Sequence, residues 1–251
     1  MLDVETHDAV ARLTLRRPEV RNALSPALLE TLIDACEGLH HDDALRVVVL
    51  RGADGTFCGG ADLPGFLTRF GADDPEAVAD LGRRAAEAVA ALPAITVAAI
   101  EGHCVGGGVV LAGACDLRWA APDARLCVPE LALGIPLAWG GLERLVRLVG
   151  ESAALELVLG CERVDAAEAR RVGLLSAILE APFAEHLEAR LSRLADKPLG
   201  ALRATKRQLR AIREGRFDAK ADAGALVAAL NDPESQRAAQ AYFARRARRD
   251  G

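Results

Sequence analysis

The sequence has few aromatic residues. Only 4% of its 251 residues are Phe, Trp or Tyr, although 51% are hydrophobic. Ala, Leu, Val and Ile must therefore fill the interior. A chain of this length buries enough of them for one large domain, or for one domain with a small appendage.

The sequence also lacks the features of membrane, secreted and nucleic-acid-binding proteins. No apolar run approaches the roughly 18 residues of a membrane span, and the N-terminus has no basic segment followed by an apolar one. The net charge of −5 argues against general nucleic-acid binding. The six cysteines show no CxxC pair and no zinc-type spacing. We therefore expect a cytoplasmic protein with buried thiols and with no metal, membrane or nucleic-acid partner.

Apolar strands alternate with helices over the first three quarters of the chain. Residues 46–50 and 95–100 are continuous apolar runs of the kind buried on both faces of a sheet, and residues 10–15 predict a further strand. Beyond residue 183 the sequence predicts only helices, near 183–195, 198–214, 217–230 and 233–248. This order predicts an α/β fold with mostly parallel strands. We expect an α/β core over residues 1–195 and a helical oligomerisation region over residues 196–251.

Two glycine-rich segments each follow a buried strand. The first is GTFCGGADL, from Gly55 to Leu63, and the second is EGHCVGGG, from Glu101 to Gly108. Glycines let the backbone approach a ligand closely with its N–H groups turned outward. Neither segment fits the P-loop pattern, and neither has the placement of a dinucleotide-binding GxGxxG. Ordinary tight turns would explain either segment alone, so the two segments and their flanks must be considered together.

Four motifs in chain order resemble those of the crotonase superfamily, the enoyl-CoA hydratase/isomerase family. They are LRRPEVRNAL at 15–24, FCGGADL at 57–63, the GGG-containing segment from Gly102 to Asp116, and PELALGI at 129–135, followed by Gly140-Gly141. The resemblance covers nearly the whole chain. It implies a crotonase-like spiral of ββα units with a C-terminal helical trimerisation region, so that we expect a homotrimer or a dimer of trimers.

The resemblance also implies an acyl-CoA thioester substrate and no separate cofactor, because coenzyme A is part of the substrate. By position, the backbone N–H groups of Ala61 and Gly107 would bind the thioester oxygen as an oxyanion hole, at roughly 3–4 kcal/mol per donor. Gly107 opens a helix, whose partial positive charge adds to the effect. The expected substrate- and CoA-binding residues are Arg21, Ala23, Gly59, Gly60, Ala61, Asp62, Leu63, Gly106, Gly107, Val110, Leu133 and Trp139.

The acid–base residues depart from the pattern of the family's hydratases. Those enzymes use two glutamates, one three residues past the oxyanion glycine and one in the PE segment. Here the first position is Val110 and the second is Glu130. One carboxylate holds a water poorly, but it can carry a proton from C2 to C4 of a 3-enoyl-CoA. We therefore expect an enoyl-CoA isomerase with Glu130 as its catalytic base. The alternatives are a hydratase that uses one glutamate and a non-catalytic acyl-CoA-binding protein.

Other polar candidates have simpler explanations. His103, beside the GGG motif, is expected to be a structural hydrogen-bonding residue, and Asp116 to be structural. Asp62 is expected to order its loop rather than to do chemistry. Trp139 fits the core and the wall of an acyl pocket equally well. Glu130 itself has an alternative role as a carboxylate stabilised by a helix N-terminus.

Overall fold

The computed structural model describes the backbone of residues 1–250 and the side chains of residues 1–246. The expected oligomerisation region therefore ends one residue beyond the described backbone. Among the described residues, no helix combines the length and the apolar composition that a bilayer span requires.

Two sheets organise the structure. The strands are β1 Leu2–His7, β2 Val10–Leu15, β3 Val47–Gly52, β4 Ile95–Ile100, β5 His103–Val105, β6 Leu117–Ala120, β7 Arg125–Cys127, β8 Val164–Asp165 and β9 Ala177–Ile178. The larger sheet has the strand order β1-β2-β3-β4-β6-β9 and the smaller one the order β5-β7-β8. In the larger sheet, β1 pairs antiparallel with β2 and every other pair is parallel. The predicted α/β class with mostly parallel pairing is confirmed.

Helices cover both faces of the larger sheet. They are α1 Pro26–His40, α2 Leu63–Phe70, α3 Pro75–Ala91, α4 Gly107–Ala114, α5 Gly141–Val149, α6 Glu151–Gly160, α7 Ala166–Arg171, α8 Phe183–Ala195, α9 Leu199–Arg213, α10 Ala219–Asn231 and α11 Pro233–Asp250. Two short 3-10 helices lie at Pro18–Val20 and Glu130–Leu133. Cap residues explain several helix starts: Ser25 accepts a hydrogen bond from the N–H of Leu28 at 3.2 Å, directly before Pro26 at the first helical position.

The central strands are buried on both faces, as their continuous apolar runs predict. Side chains alternate between the faces of a strand. Val48 and Leu50 therefore join the core beneath α1 and α3. Val47 and Val49 belong to a second cluster with Phe183 and other residues of α8. Helix α8 thus packs on the outer face of the sheet and completes the α/β core.

The last three helices are attached differently. Lys206 of α9 is buried, and its Nζ lies 2.7 Å from Asp116 Oδ2 and donates to the carbonyl oxygen of Ala94 at 2.7 Å. Asp116 also accepts hydrogen bonds from the N–H and the hydroxyl of Thr96. This buried polar contact, rather than a broad apolar face, holds α9 against the edge of the sheet. The boundary expected near residue 195 stays a prediction.

Candidate active site

Hydrogen bonds join the two glycine-rich segments side by side. The N–H of Cys58 donates to the carbonyl of His103 at 2.8 Å, and the N–H of Val105 donates to the carbonyl of Cys58 at 3.0 Å. Further along, a Cβ added to Gly60 would lie 3.3 Å from the carbonyl oxygen of Val105. Because β3 and β4 are parallel neighbours, the segments that follow them leave the sheet at the same edge.

Ala61 is held with its N–H free for a ligand. The N–H of Leu24 donates to the carbonyl of Gly60 at 2.8 Å, and the N–H of Asp62 donates to the carbonyl of Leu24 at 2.9 Å. In this bridge pattern the backbone groups alternate in direction, so the N–H of Ala61 points away from Leu24. The fold therefore presents this amide as a donor.

Gly107 offers a second donor at the start of α4. As the first residue of the helix, it has an N–H without a partner inside the helix. The aligned peptide dipoles also place a partial positive charge there. The chain enters the helix through Gly106 at φ 51°, a conformation that side chains rarely adopt.

Ala61 and Gly107 line one cavity of about 320 Å³. Its walls are almost entirely apolar. The lining residues are Ala61, Leu63, Phe66, Leu67, Phe70, Ala79, Gly107, Val110, Glu130, Ile135, Pro136, Leu137, Ala138 and Trp139. The structure thus brings together six residues that sequence analysis placed in the site, namely Ala61, Leu63, Gly107, Val110, Glu130 and Trp139.

Glu130 brings a carboxylate into these apolar surroundings. It is the first residue of a 3-10 helix, and its Oε2 is buried with no hydrogen-bond partner among the described residues. A Cβ added to Gly106 would lie 2.5 Å from Glu130 Oε1, so the carboxylate packs directly against the backbone that leads into α4. Burial raises the pKa of Glu130, against a smaller lowering by a hydrogen bond from its own backbone. An unpaired carboxylate with a raised pKa is suited to take up a proton.

Trp139 forms a wall of the cavity. It adopts a left-handed backbone conformation at φ 61° and lies between α3 and the start of α4. A Cβ added to Gly82 would lie 1.9 Å from the indole, and one added to Gly107 would lie 2.2 Å from it. The indole centroid is 5.8 Å from that of Phe66. Two glycines therefore create the slot that holds the indole.

Comparison with known proteins agrees with this geometry. The sequence profile of the enoyl-CoA hydratase/isomerase family matches residues 5–249. The chain belongs to this family. A probable enoyl-CoA hydratase of Bacillus subtilis is 38% identical over 190 residues, which are 75% of this chain and 73% of that protein. The expectation of an enzyme is thus confirmed, and the alternative of a non-catalytic binder loses its support.

Solved structures of the family have the same fold. One enoyl-CoA hydratase/isomerase family member superposes with a TM-score of 0.89 at 31% identity, over 97% of this chain and 94% of that one. A proposed enoyl-CoA hydratase from Thermobifida fusca, solved in complex with acetoacetyl-CoA, has a TM-score of 0.80 at 30% identity, over 96% of this chain and 95% of that one. The predicted crotonase fold is therefore confirmed.

The other residues that we expected in the site of this chain lie outside the cavity lining. Leu133 is 56% exposed, and Ile135 occupies the cavity instead. Arg21 is exposed, and its carbonyl accepts the N–H of Gly59 at 2.7 Å. Asp62 caps α2 and lies 2.9 Å from an arginine side chain, which fits its expected loop-ordering role. The remaining members of the expected CoA site outside the lining are Ala23, Gly60 and Gly106. Their contacts with coenzyme A stay predictions.

Sequence analysis missed Asn22 as a positioning residue. Its side chain is fully buried, and its Nδ2 donates to the carbonyls of Ala53 and Thr56 at 2.9 and 2.6 Å. Its Oδ1 accepts the N–H of Arg17 at 2.9 Å. The side chain thereby joins the NAL turn to the loop that leads to Ala61. The signal was available, since an asparagine that follows Pro18 and precedes the apolar Ala23-Leu24 predicts a turn residue.

Sequence analysis also missed α2, which contributes Phe66 and Phe70 to the cavity. The helix begins after Asp62, whose carboxylate accepts the N–H of Gly65, and it has proline in its first turn. Asp-Leu-Pro is a recognisable helix start. The helix is only eight residues long and contains Gly65, so its periodicity gave little support.

Proposed function

We propose that this enzyme is an enoyl-CoA isomerase, which moves the double bond of a 3-enoyl-CoA into conjugation with the thioester. One observation carries the proposal: among the described residues that line the cavity, Glu130 is the only titratable side chain. Val110, which is 3% exposed, occupies the position where the family's hydratases have their other glutamate. The site therefore has one proton carrier and apolar walls.

A single carboxylate suffices for this reaction. Glu130 removes a proton from C2, and the electron pair of the C–H bond moves toward the thioester carbonyl. The N–H groups of Ala61 and Gly107 stabilise the negative charge that develops on its oxygen. Glu130 then returns the proton to C4, which leaves the double bond between C2 and C3. The raised pKa of Glu130 makes both transfers feasible, and no water takes part.

Hydration is the second candidate, because the Bacillus subtilis relative bears the name of a hydratase. In that reaction Glu130 alone would have to hold and deprotonate a water next to C3. The apolar walls of the cavity offer such a water few other partners, and an ordered water needs two to four. The residues present therefore favour isomerisation.

An ultraviolet assay separates the two reactions. The conjugated 2-enoyl thioester absorbs and the 3-enoyl thioester does not, so isomerisation of 3-hexenoyl-CoA is expected to raise the absorbance. Hydration of 2-hexenoyl-CoA would instead lower it. If the enzyme consumes 2-hexenoyl-CoA faster than it forms the conjugated product from 3-hexenoyl-CoA, the isomerase proposal is wrong and the enzyme is a hydratase.

We also propose that the turn before α1 and the FCGGADL loop contact coenzyme A, mainly through backbone atoms. The contacts would come from Arg21, Ala23, Gly59, Gly60, Asp62, Leu63 and Gly106. Support comes from their position beside Ala61 and from the Thermobifida fusca relative solved with acetoacetyl-CoA. Calorimetry with acetyl-CoA and longer acyl-CoAs is expected to detect binding. No binding across the series would contradict an acyl-CoA site.

We further propose that the chain assembles as a homotrimer or a dimer of trimers. The C-terminal helices support this proposal, because large apolar side chains are exposed on all three of them. These residues are Leu209, Ile212, Leu226, Val227, Leu230, Tyr242 and Phe243. Light scattering is expected to give three or six times the chain mass of 26.5 kDa. A monomer at micromolar concentration would contradict the proposal.

A further inference from the structure

Three of the chain's few aromatic side chains meet at the cavity that holds Glu130. The sequence has six Phe, two Trp and one Tyr. Phe66, Phe70 and Trp139 all line this cavity. The ring centroid of Phe66 lies 5.8 Å from that of Trp139 and 6.0 Å from that of Phe70, so the three rings form one aromatic wall. A large apolar surface of this kind binds apolar groups.

Apart from the backbone N–H groups of Ala61 and Gly107, which the proposed reaction uses for the thioester oxygen, the described lining of the cavity has no group to pair with a negative charge. Among the described lining residues there is no Arg, Lys or His. The one charged side chain is Glu130, whose own Oε2 already has no partner. A second carboxylate in this space would lose its hydration without gaining a cation, and it would be repelled by Glu130.

Trp139 closes one side of the cavity, and its neighbours hold the indole in place. The slot that holds the indole is bounded by Gly82 on α3 and by Gly107 on α4, where even one added carbon would collide with it. The cavity volume of about 320 Å³ holds roughly ten non-hydrogen atoms, at the about 30 Å³ that a water molecule occupies in the liquid. The indole therefore bounds the space beside the reacting carbons.

We propose that this cavity accepts an uncharged, apolar acyl group of at most roughly ten non-hydrogen atoms, and that Trp139 sets this limit. The inference rests on the proposed function, which places the acyl group in this cavity. It adds the class of acyl group and the residue that determines its size.

The charge requirement is tested by binding rather than by turnover. Hexanoyl-CoA and adipoyl-CoA have six-carbon acyl groups and differ by the terminal carboxylate of adipoyl-CoA. Calorimetry is expected to give a Kd at least about tenfold lower for hexanoyl-CoA, because the carboxylate would be buried without a partner. Equal or tighter binding of adipoyl-CoA would overturn the inference alone. Failure of both thioesters to bind would overturn the proposed function, and the inference with it.

The size limit is tested with Trp139→Leu and the milder Trp139→Phe. In the unchanged enzyme, octanoyl-CoA fits the cavity and dodecanoyl-CoA exceeds it. The ratio of the dodecanoyl-CoA Kd to the octanoyl-CoA Kd is expected to fall at least about tenfold in Trp139→Leu and less in Trp139→Phe. Because the ratio compares two ligands on one protein, it does not depend on the folded fraction.

The other tryptophan provides the matched control. Trp119 is 5% exposed and packs with Val97 and Leu179 in the cluster on the opposite face of the sheet. Trp119→Leu is expected to leave the ratio unchanged. An unchanged ratio in both Trp139 variants, or an equal change in Trp119→Leu, would overturn the role of Trp139.

Discussion

The two ends of α4 border cavities of opposite character. At its N-terminus, Gly107 faces the apolar cavity of about 320 Å³ that contains Glu130. At its C-terminus, Gly113 and Ala114 border a larger cavity of about 690 Å³, lined mostly by charged side chains. Those charged residues are Glu87, Glu143, Arg144, Arg147, Lys206, Arg210, Arg213 and Glu214. We name the two spaces the apolar cavity and the charged cavity.

The carboxylates in the two cavities differ in whether they are paired. In the charged cavity, Glu143 lies 3.6 Å from Arg147 and Glu214 lies 2.9 Å from Arg210. In the apolar cavity, Glu130 Oε2 has no hydrogen-bond partner among the described residues. Burial raises the pKa of Glu130 against a smaller lowering by a hydrogen bond from its own backbone, which makes it a stronger base than an ordinary glutamate. The comparison teaches that neither the size of a cavity nor its number of charges identifies the site of proton transfer.

The largest expected effect tests whether the charged cavity is purely structural. Lys206→Met removes the nearer of the two cations beside Asp116, the other being Arg213 at 3.9 Å, and the hydrogen bond to Ala94. Breaking a buried ion pair on one side costs about 3 kcal/mol in the free energy of unfolding. Chemical denaturation measures this loss, with the exposed Lys220→Met as the control that stays near wild type. The kcat of the folded variant is expected to stay unchanged, and a specific loss of kcat would give the charged cavity a part in the chemistry.

The next effect tests the unpaired carboxylate directly. Glu130→Gln keeps the size of the side chain and removes the base, so kcat is expected to fall at least about 100-fold while acyl-CoA affinity stays nearly constant. Glu143→Gln makes the same change in the charged cavity and is expected to retain full activity. Steady-state kinetics and calorimetry measure the two quantities. Full activity in Glu130→Gln would place the base elsewhere.

A smaller effect is expected when a glycine at each end of α4 is replaced by alanine, and only at the end that faces the apolar cavity. In Gly107→Ala the new Cβ would lie 2.2 Å from Trp139 Cζ3, so either the indole or the Gly107 amide must move. We expect kcat/KM to fall about tenfold, a fraction of what the loss of one oxyanion donor costs. In Gly113→Ala the nearest atom, Leu148 Cδ1, is at an ordinary 3.5 Å. That variant is expected to keep its kcat/KM, and equal losses in the two variants would remove the contrast between the ends.

The smallest expected effect is a gain of stability. Burial raises the pKa of Glu130, so the folded protein holds this proton more tightly than the unfolded chain does. Ionisation above that pKa therefore destabilises the fold, and the destabilisation is absent well below pH 4.5. Glu130→Gln removes this ionisation and is therefore expected to raise Tm at pH 8.

That gain should shrink when the solution is acidified to pH 4, where the glutamate is mostly protonated in both states. Thermal scans at the two pH values measure the difference, with Glu143→Gln as the control that shows no such dependence. A gain that persists at pH 4 would show that charge burial is not its cause. The same pKa predicts that the activity of the unchanged enzyme rises with pH through a midpoint above 4.5.

The strands of the larger sheet were predictable where the local sequence itself marks a buried strand. β3 and β4 are continuous apolar runs, and a strand buried on both faces needs such a run. β5, β7 and β8 are two or three residues long and depend on pairing with one another. β1 is an edge strand whose last four residues are all exposed, so burial leaves little signal in its sequence. Strands that depend on a partner leave little trace in the local sequence.

The residues of the candidate site were predictable where their positions within the four motifs assign them. Ala61, Gly107, Val110, Glu130 and Trp139 were all expected in the site, and all line the apolar cavity. Leu133 was expected there as well, but Gly134 adopts φ 75° directly after it, and the turned chain brings Ile135 into the cavity. The pairing state of Glu130 could not be predicted, because it depends on what the fold places around the carboxylate.

The proposed proton carrier and the two proposed oxyanion amides come from three separate segments of the chain, and this separation bears on how the activity can evolve. One base change turns any valine codon into an aspartate or glutamate codon, so residue 110 is one mutation away from carrying a second carboxylate. Residue 130 lies on a third segment, separate in the chain from Ala61 and Gly107. The anion-stabilising scaffold can thus persist through a lineage while point mutations in two codons exchange one reaction for another.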